Sequence, residues 1–224
     1  ANNDINNYDA ATNFPELLVL NLSNNNINNS FNENQLRVDS PNLKELSLEN
    51  NNMTGFDIRF LPSNLEILNV ANNGITYLPS EPYWGANPLP ATLKVLNIGT
   101  NPIGGGFNFN RIPRNLEVLD ADRMNLPSAN ADFNLLPNTL TEIYLTFNNL
   151  GNKDLRKIST LSNLKKLDLA GTGRTNLNHA WAIPRSVENL AIELNNIVPL
   201  NLSQLPAGIR RLTMRGNNIS NSSP

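Results

Sequence analysis

The sequence predicts an α/β-type solenoid, mostly β. About nine right-handed turns should stack into a horseshoe, with a parallel sheet on the concave side and extended or short-helical segments on the convex side. Three observations predict it. The template L-x-x-L-x-L-x-x-N-x-L recurs nine times between Leu17 and Ile219, at intervals of 22 to 28 residues. Its central x-L-x-L-x alternates with period two, so the leucines share one face and the intervening residues the other, as a strand requires. An apolar residue followed by proline recurs just ahead of most repeats, at Leu61-Pro62, Leu89-Pro90, Ile112-Pro113, Leu136-Pro137, Ile183-Pro184 and Leu205-Pro206. Proline fixes its own φ and biases its predecessor away from helix, which makes the convex side extended in those repeats.

Residues 1–16 read as an N-terminal cap segment, with Ile5, Tyr8, Phe14 and Pro15 to cover the open end of the stack. The solenoid spans 17–219, its repeats starting at Leu17, Leu43, Leu65, Leu93, Leu116, Leu140, Leu164, Val187 and Ile209. One repeat cannot bury its leucine face alone, and stacking neighbours makes the core continuous. A short helix is expected between Lys153 and Leu161, where Leu155, Ile158 and Leu161 have helical spacing and Ser162 replaces the usual proline. Two insertions carry aromatics: Tyr77, Tyr83 and Trp84 between the third and fourth repeats, and Trp181 beside His179 between the seventh and eighth. Tyr83 and Trp84 are candidate loop anchors for a partner, against the plainer reading that such residues fold back over the convex side. Residues 220–224 are a polar tail. They leave nothing to cover the last repeat, so its face is expected to meet further chain, a partner or a second copy.

Asparagine fills 44 of 224 positions. Much of this excess is periodic: Asn25, Asn51, Asn73, Asn101, Asn148, Asn195 and Asn217 all occupy the ninth template position. There the strand ends at a bend, and a stacked amide can donate to and accept from the backbone of adjacent turns. These seven form a structural ladder that satisfies polar groups otherwise buried. Met124 and Thr172 break it, and Arg174 stands where other repeats have an aliphatic side chain. Such breaks are either drift in a tolerant ladder or a kink that shapes a site. The N-x-S/T sequons at Asn21, Asn28, Asn52, Asn201, Asn218 and Asn221 are no more than this composition yields by chance, so they carry no glycosylation signal.

Composition excludes several functions. A net charge of -2 without a basic cluster gives no case for nucleic acid. No apolar run approaches the roughly 18 residues that span a bilayer, so no membrane insertion is expected. Cysteine is absent, which removes disulfides, thiolate zinc sites and cysteine nucleophiles. The chain does not begin with Met, which fits a targeting segment lost from its front. The only histidine, His179, sits in an insertion away from the sheet, where it cannot serve a Ser-His-Asp triad. Asp120 and Asp168 lie two strands apart, roughly 10 Å, the wide end of an inverting glycosidase pair, but no aromatic platform flanks them. Asp120 and Asp122 could offer oxygens to Ca²⁺, yet no metal, no cofactor and no enzymatic activity is assigned.

The nine-fold template resembles the leucine-rich repeat family over about nine-tenths of the chain. The fuller form L-P-x-x-L-x-x-L-x-V-x-x-N resembles the bacterial subclass of these repeats, best known from type III secreted effectors. That resemblance implies a protein that binds host proteins, and a secreted or bacterial cell-surface location. Some such effectors carry a C-terminal ubiquitin-ligase domain. The repeats here are longer and less regular, and no such domain follows them, so ligase activity does not carry over.

The expected function is therefore non-enzymatic capture of a protein or peptide ligand on the concave face. The candidate contacts are Asn97, Val118, Asp120, Asp122, Glu142, Tyr144, Phe147, Lys166, Asp168, Arg211 and Arg215. Early repeats present an apolar row (Val19, Ile67, Val95, Val118), middle ones are acidic around Tyr144 and Phe147, and the last is basic with Arg210, Arg211 and Arg215. A face of changing sign suits a ligand with its own charge pattern. The rival expectation is a structural, assembly or surface-adhesion module of a bacterial cell surface or virion.

Overall fold

In a computed structural model, which describes residues 3–6, 13–78, 89–198 and 201–219, every repeat contributes one short strand. In chain order these are β1 (Val19–Asn21), β2 (Glu45–Ser47), β3 (Ile67–Asn69), β4 (Val95–Asn97), β5 (Val118–Asp120), β6 (Glu142–Tyr144), β7 (Lys166–Asp168), β8 (Asn189–Ala191) and β9 (Arg211–Thr213). They form a single parallel sheet in sequence order. The register never slips: Leu46, Leu68, Leu96, Leu119, Ile143, Leu167 and Leu190 lie side by side, all buried. The residues flanking each of them face the open side of the sheet, as period-two alternation dictates. The solenoid expected from the sequence is present, with its nine repeats.

The asparagine ladder is visible bond by bond. Each amide donates to the carbonyl three residues back and to one in the preceding repeat, as Asn101 does to Ile98 and Val70. Its oxygen accepts an N–H of the preceding repeat, from Ile75 in this case. Asn51, Asn73, Asn148, Asn195 and Asn217 repeat the arrangement. Asn25 closes the N-terminal end, accepting from Ile5, whose side chain packs against the core.

The two broken rungs are repaired by backbone. Ahead of Met124, Gly104 N–H donates to the Met124 carbonyl at 2.7 Å; ahead of Thr172, Gly151 donates to the Thr172 carbonyl at 2.9 Å. Both glycines lie three residues after a ladder asparagine, at φ 54° and 55°, where a side chain would be strained. Arg174 is fully buried, its guanidinium donating to the carbonyls of Lys153 and Asn176, and burial depresses its pKa to about 10. The departures are thus absorbed inside the solenoid.

On the convex side single 3-10 turns alternate with extended segments. Five of the turns are capped by an Asp or Asn accepting an N–H two residues on, at Asp57, Asn108, Asp132, Asp154 and Asn201. The residues before proline are extended as expected, Leu61 at φ -67°, ψ 146°. Phe107, Phe109 and Phe133 stack beneath them. The helix expected between Lys153 and Leu161 is only a 3-10 turn, Leu155–Ile158, held short by the Asp154 cap. The one α-helix among the described residues, Glu33–Asp39, lies where none was expected. Asn32 caps it by accepting from Gln35, Glu33 and Arg37 sit at favourable ends of its dipole, and Leu36 is buried. Tyr83, Trp84 and Tyr8 lie outside the described residues. Trp181 does not fold back, remaining exposed with its ring edge-on to His179.

Candidate functional site

The concave face is built from three columns of side chains, one on each side of the buried strand leucine and a third two residues further on. In the middle column an Asx residue ends several strands. Asn69, Asn97, Asp120 and Asp168 each accept the N–H two residues on, at 3.0–3.2 Å. Asn97, Asp120, Tyr144 and Asp168 then follow one another across four adjacent strands. Val118 lies between Val95 and Glu142, half-buried, and continues the apolar row of the early repeats.

Asp122 reaches across to the sixth repeat, where its carboxylate accepts the Thr146 N–H. Next to it, Gly99 leaves space for Asp120, whose Oδ1 would stand 2.8 Å from a β-carbon at that position. Burial raises both carboxyls above their ordinary range. The Asp120 charge and, less strongly, Asp168 add to the effect on Asp122, which is lifted to about 6. Lys166 does not neutralise this pair. Its ammonium donates to the Tyr144 hydroxyl at 3.0 Å and stands 4.3 Å from the ring centroid, while that hydroxyl donates to Glu142.

The largest departure from the expected grouping concerns Phe147. It is not on the sheet: it occupies the turn after β6 at φ 53°, with Arg123 stacked 4.0 Å above its ring. The basic group in the last repeat also divides. Arg210 pairs with Glu188 at 3.4 Å on the outer edge, in a column that alternates Lys44–Glu66–Lys94 and Lys165–Glu188–Arg210. Arg211 faces the concave side, where it helps line a basin of about 390 Å³ with Lys166, Asp168, Asn189, Glu193 and Thr213. Arg215 is exposed beyond that basin. Asn189 and Glu193 were legible in the columns but not singled out. Among the described residues no group of three or more His, Asp or Glu is placed to hold a metal. Asp120 and Asp168 are each spent partly on their own turns.

Models of the leucine-rich repeat match residues 42–63 and 137–159, the second and sixth repeats. No curated protein matches the sequence significantly. Among solved structures, a leucine-rich repeat protein of Leptospira interrogans superimposes over 92% of this chain with TM-score 0.63 and 24% identity. YopM from Yersinia enterocolitica covers the same share at TM-score 0.60 and 28% identity, and TLR13, in a complex with ssRNA13, covers 89% at 0.64 and 25%. This chain spans 57%, 44% and 29% of those three chains respectively.

Proposed function

We propose that this leucine-rich repeat protein is a non-enzymatic capture module whose concave face, from the fifth repeat onward, binds a protein or peptide segment. One observation carries the reading: Asp120 and Asp122 are held together, partly desolvated and not neutralised by Lys166. A fold maintains such a field at a cost unless something complementary meets it. The likeness to YopM and to the Leptospira protein supports a secreted or surface-exposed bacterial setting. Among the described residues no helix is long and apolar enough to cross a membrane. The RNA of the TLR13 complex finds no counterpart in this reading, because an acidic face repels phosphates.

The test is charge reversal, Asp120→Lys with Asp168→Lys, followed by pull-down from candidate host material. Loss of capture by a variant with unchanged circular dichroism is expected. Retained capture overturns the reading. A second reading, assembly through the C-terminal end, is favoured by one feature: Leu205, Ile209, Leu212 and Met214 are only partly buried, and Leu202 is exposed. If capture survives charge reversal while deleting 205–224 abolishes self-association, assembly is the function.

A further inference from the structure

Every repeat places one residue in the left-handed region immediately before its ladder position. In order these are Asn24, Asn50, Asn72, Thr100, Arg123, Phe147, Gly171, Leu194 and Gly216, with φ between 51° and 72°. Asparagine and glycine tolerate that conformation. In the first three repeats the choice is Asn, and the amides join hand to hand: Asn50 donates to Asn24 and Asn72 to Asn50, both at 2.7 Å. Phe147 and Leu194 break this rule in the costly direction. Bulky side chains at positive φ are outliers that persist where the surroundings or a function demand them.

Packing within the chain explains only part of their presence. Each leans on the glycine of the next repeat: a β-carbon at Gly171 would lie 2.5 Å from Phe147 Cδ1, and one at Gly216 would lie 2.9 Å from Leu194 Cδ2. The rest of each side chain is open, Phe147 at 38% and Leu194 at 54% exposure. The two stand two repeats apart, roughly 10 Å at ordinary strand spacing. Beside them, the concave columns of repeats five to eight hold five carboxylates (Asp120, Asp122, Glu142, Asp168, Glu193) against the single ammonium of Lys166.

We propose that Phe147 and Leu194 form an apolar docking rim for an extended, basic peptide segment of a partner protein, which runs across the strands with apolar side chains on the rim and cationic ones over the acidic columns. The proposal rests on the concave-face reading and names its partner's chemistry. A ligand in polyproline conformation advances about 3.1 Å per residue, so apolar residues at i and i+3 match the rim spacing. The alternation of a large residue with glycine (Phe147 over Gly171, Leu194 over Gly216) makes two separate anchors with a small step between them.

Phe147→Asn and Leu194→Asn, which restore the residue of the first three repeats, test it in two ways. Without ligand, the melting temperature of each variant should be unchanged or higher, because strain is relieved and little internal packing is lost. A clear drop in both overturns the proposal, since the side chains would then be structural. With a fluorescent repeating Lys-Leu-Pro peptide as probe, the intact protein should bind and each variant should bind at least about tenfold more weakly, while a Glu-Leu-Pro peptide should not bind. No binding of the Lys-Leu-Pro peptide by the intact protein overturns the assigned chemistry. Binding that survives both rim substitutions but is lost in Asp120→Lys/Asp168→Lys overturns the rim and leaves the concave-face reading standing.

Discussion

Two columns of side chains run along the solenoid one residue apart, and they have diverged to different degrees. The inner one, from Asn25 to Asn217, is asparagine in seven repeats of nine, and where it fails the backbone takes over its bonds. The outer one, from Asn24 to Gly216, starts as asparagine and then admits Thr100, Arg123, Phe147 and Leu194. Both serve the same bend. They differ in what the position must satisfy. An inner side chain is enclosed with several carbonyls and an N–H, and asparagine alone among neutral side chains of that size answers both. An outer one needs only a permissive backbone and can be traded for something else. Variation in the inner column is therefore repaired, whereas variation in the outer column is informative.

The sharpest way to break this contrast is to delete one member of each column. Asn101→Ala removes a fully buried amide and strands the carbonyls of Val70, Ile98 and Gly99 with the N–H of Ile75. A loss of about 3 kcal/mol is expected in urea denaturation. The matching outer change, Asn72→Gly, removes one exposed amide contact and should cost less than about 1 kcal/mol. Equal losses would mean the columns do not differ in kind. Next in size is Gly171→Ala, which places a β-carbon against the Phe147 ring at φ 62° and should cost about 1–3 kcal/mol. Part of that cost should disappear when Phe147 is also changed to Asn, as measured by a double-mutant cycle.

The same contrast explains how much could be read in the sequence. Strand positions and register were legible because each turn repeats the same burial problem, and Leu46, Leu68 and Leu96 solve it identically. The inner ladder was legible for the same reason. A third asparagine-rich column was not. Asn42, Asn64, Asn115 and Asn163 donate to carbonyls of Pro15, Pro41, Ala91 and Asn138, but Thr92 and Thr139 do that work in alternate repeats and blur the pattern. The helix Glu33–Asp39 was hidden because its signal is local, a cap and one buried leucine, inside an asparagine-rich stretch. For the candidate site, the columns placed Asp120, Tyr144 and Asp168 on adjacent strands. They could not show that Phe147 leaves the sheet, since backbone sign is invisible when the residue is not glycine or asparagine.

A smaller effect separates the acidic middle of the concave face from its neutral start. Asp122 titrates near 6 in the fold and at 3.8 in the ordinary case. Its protonated form therefore contributes stability that is fully present below about pH 3.8 and lost as pH rises through 6. Asp122→Asn keeps an oxygen for the Thr146 N–H and removes the charge. The variant should be more stable than the parent by roughly 1 kcal/mol at pH 7.5, after discounting for partial exposure, and indistinguishable from it near pH 3.5. A thermal melt series across that range decides it. An advantage that persists at low pH would show that desolvation of the carboxylate is not the cause.

The least effect belongs to the most conspicuous charges. Glu66 holds Lys94 at 2.7 Å and Lys44 at 3.3 Å, which holds its carboxyl below the usual range and looks like a clamp across three strands. All three side chains lie on the wetted outer edge, where ion pairs gain little over hydration and are screened by salt. Glu66→Gln should leave the melting temperature unchanged at physiological ionic strength and lower it only in dilute buffer. A drop that survives added salt would show that the edge column, like the inner asparagines, fastens one repeat to the next.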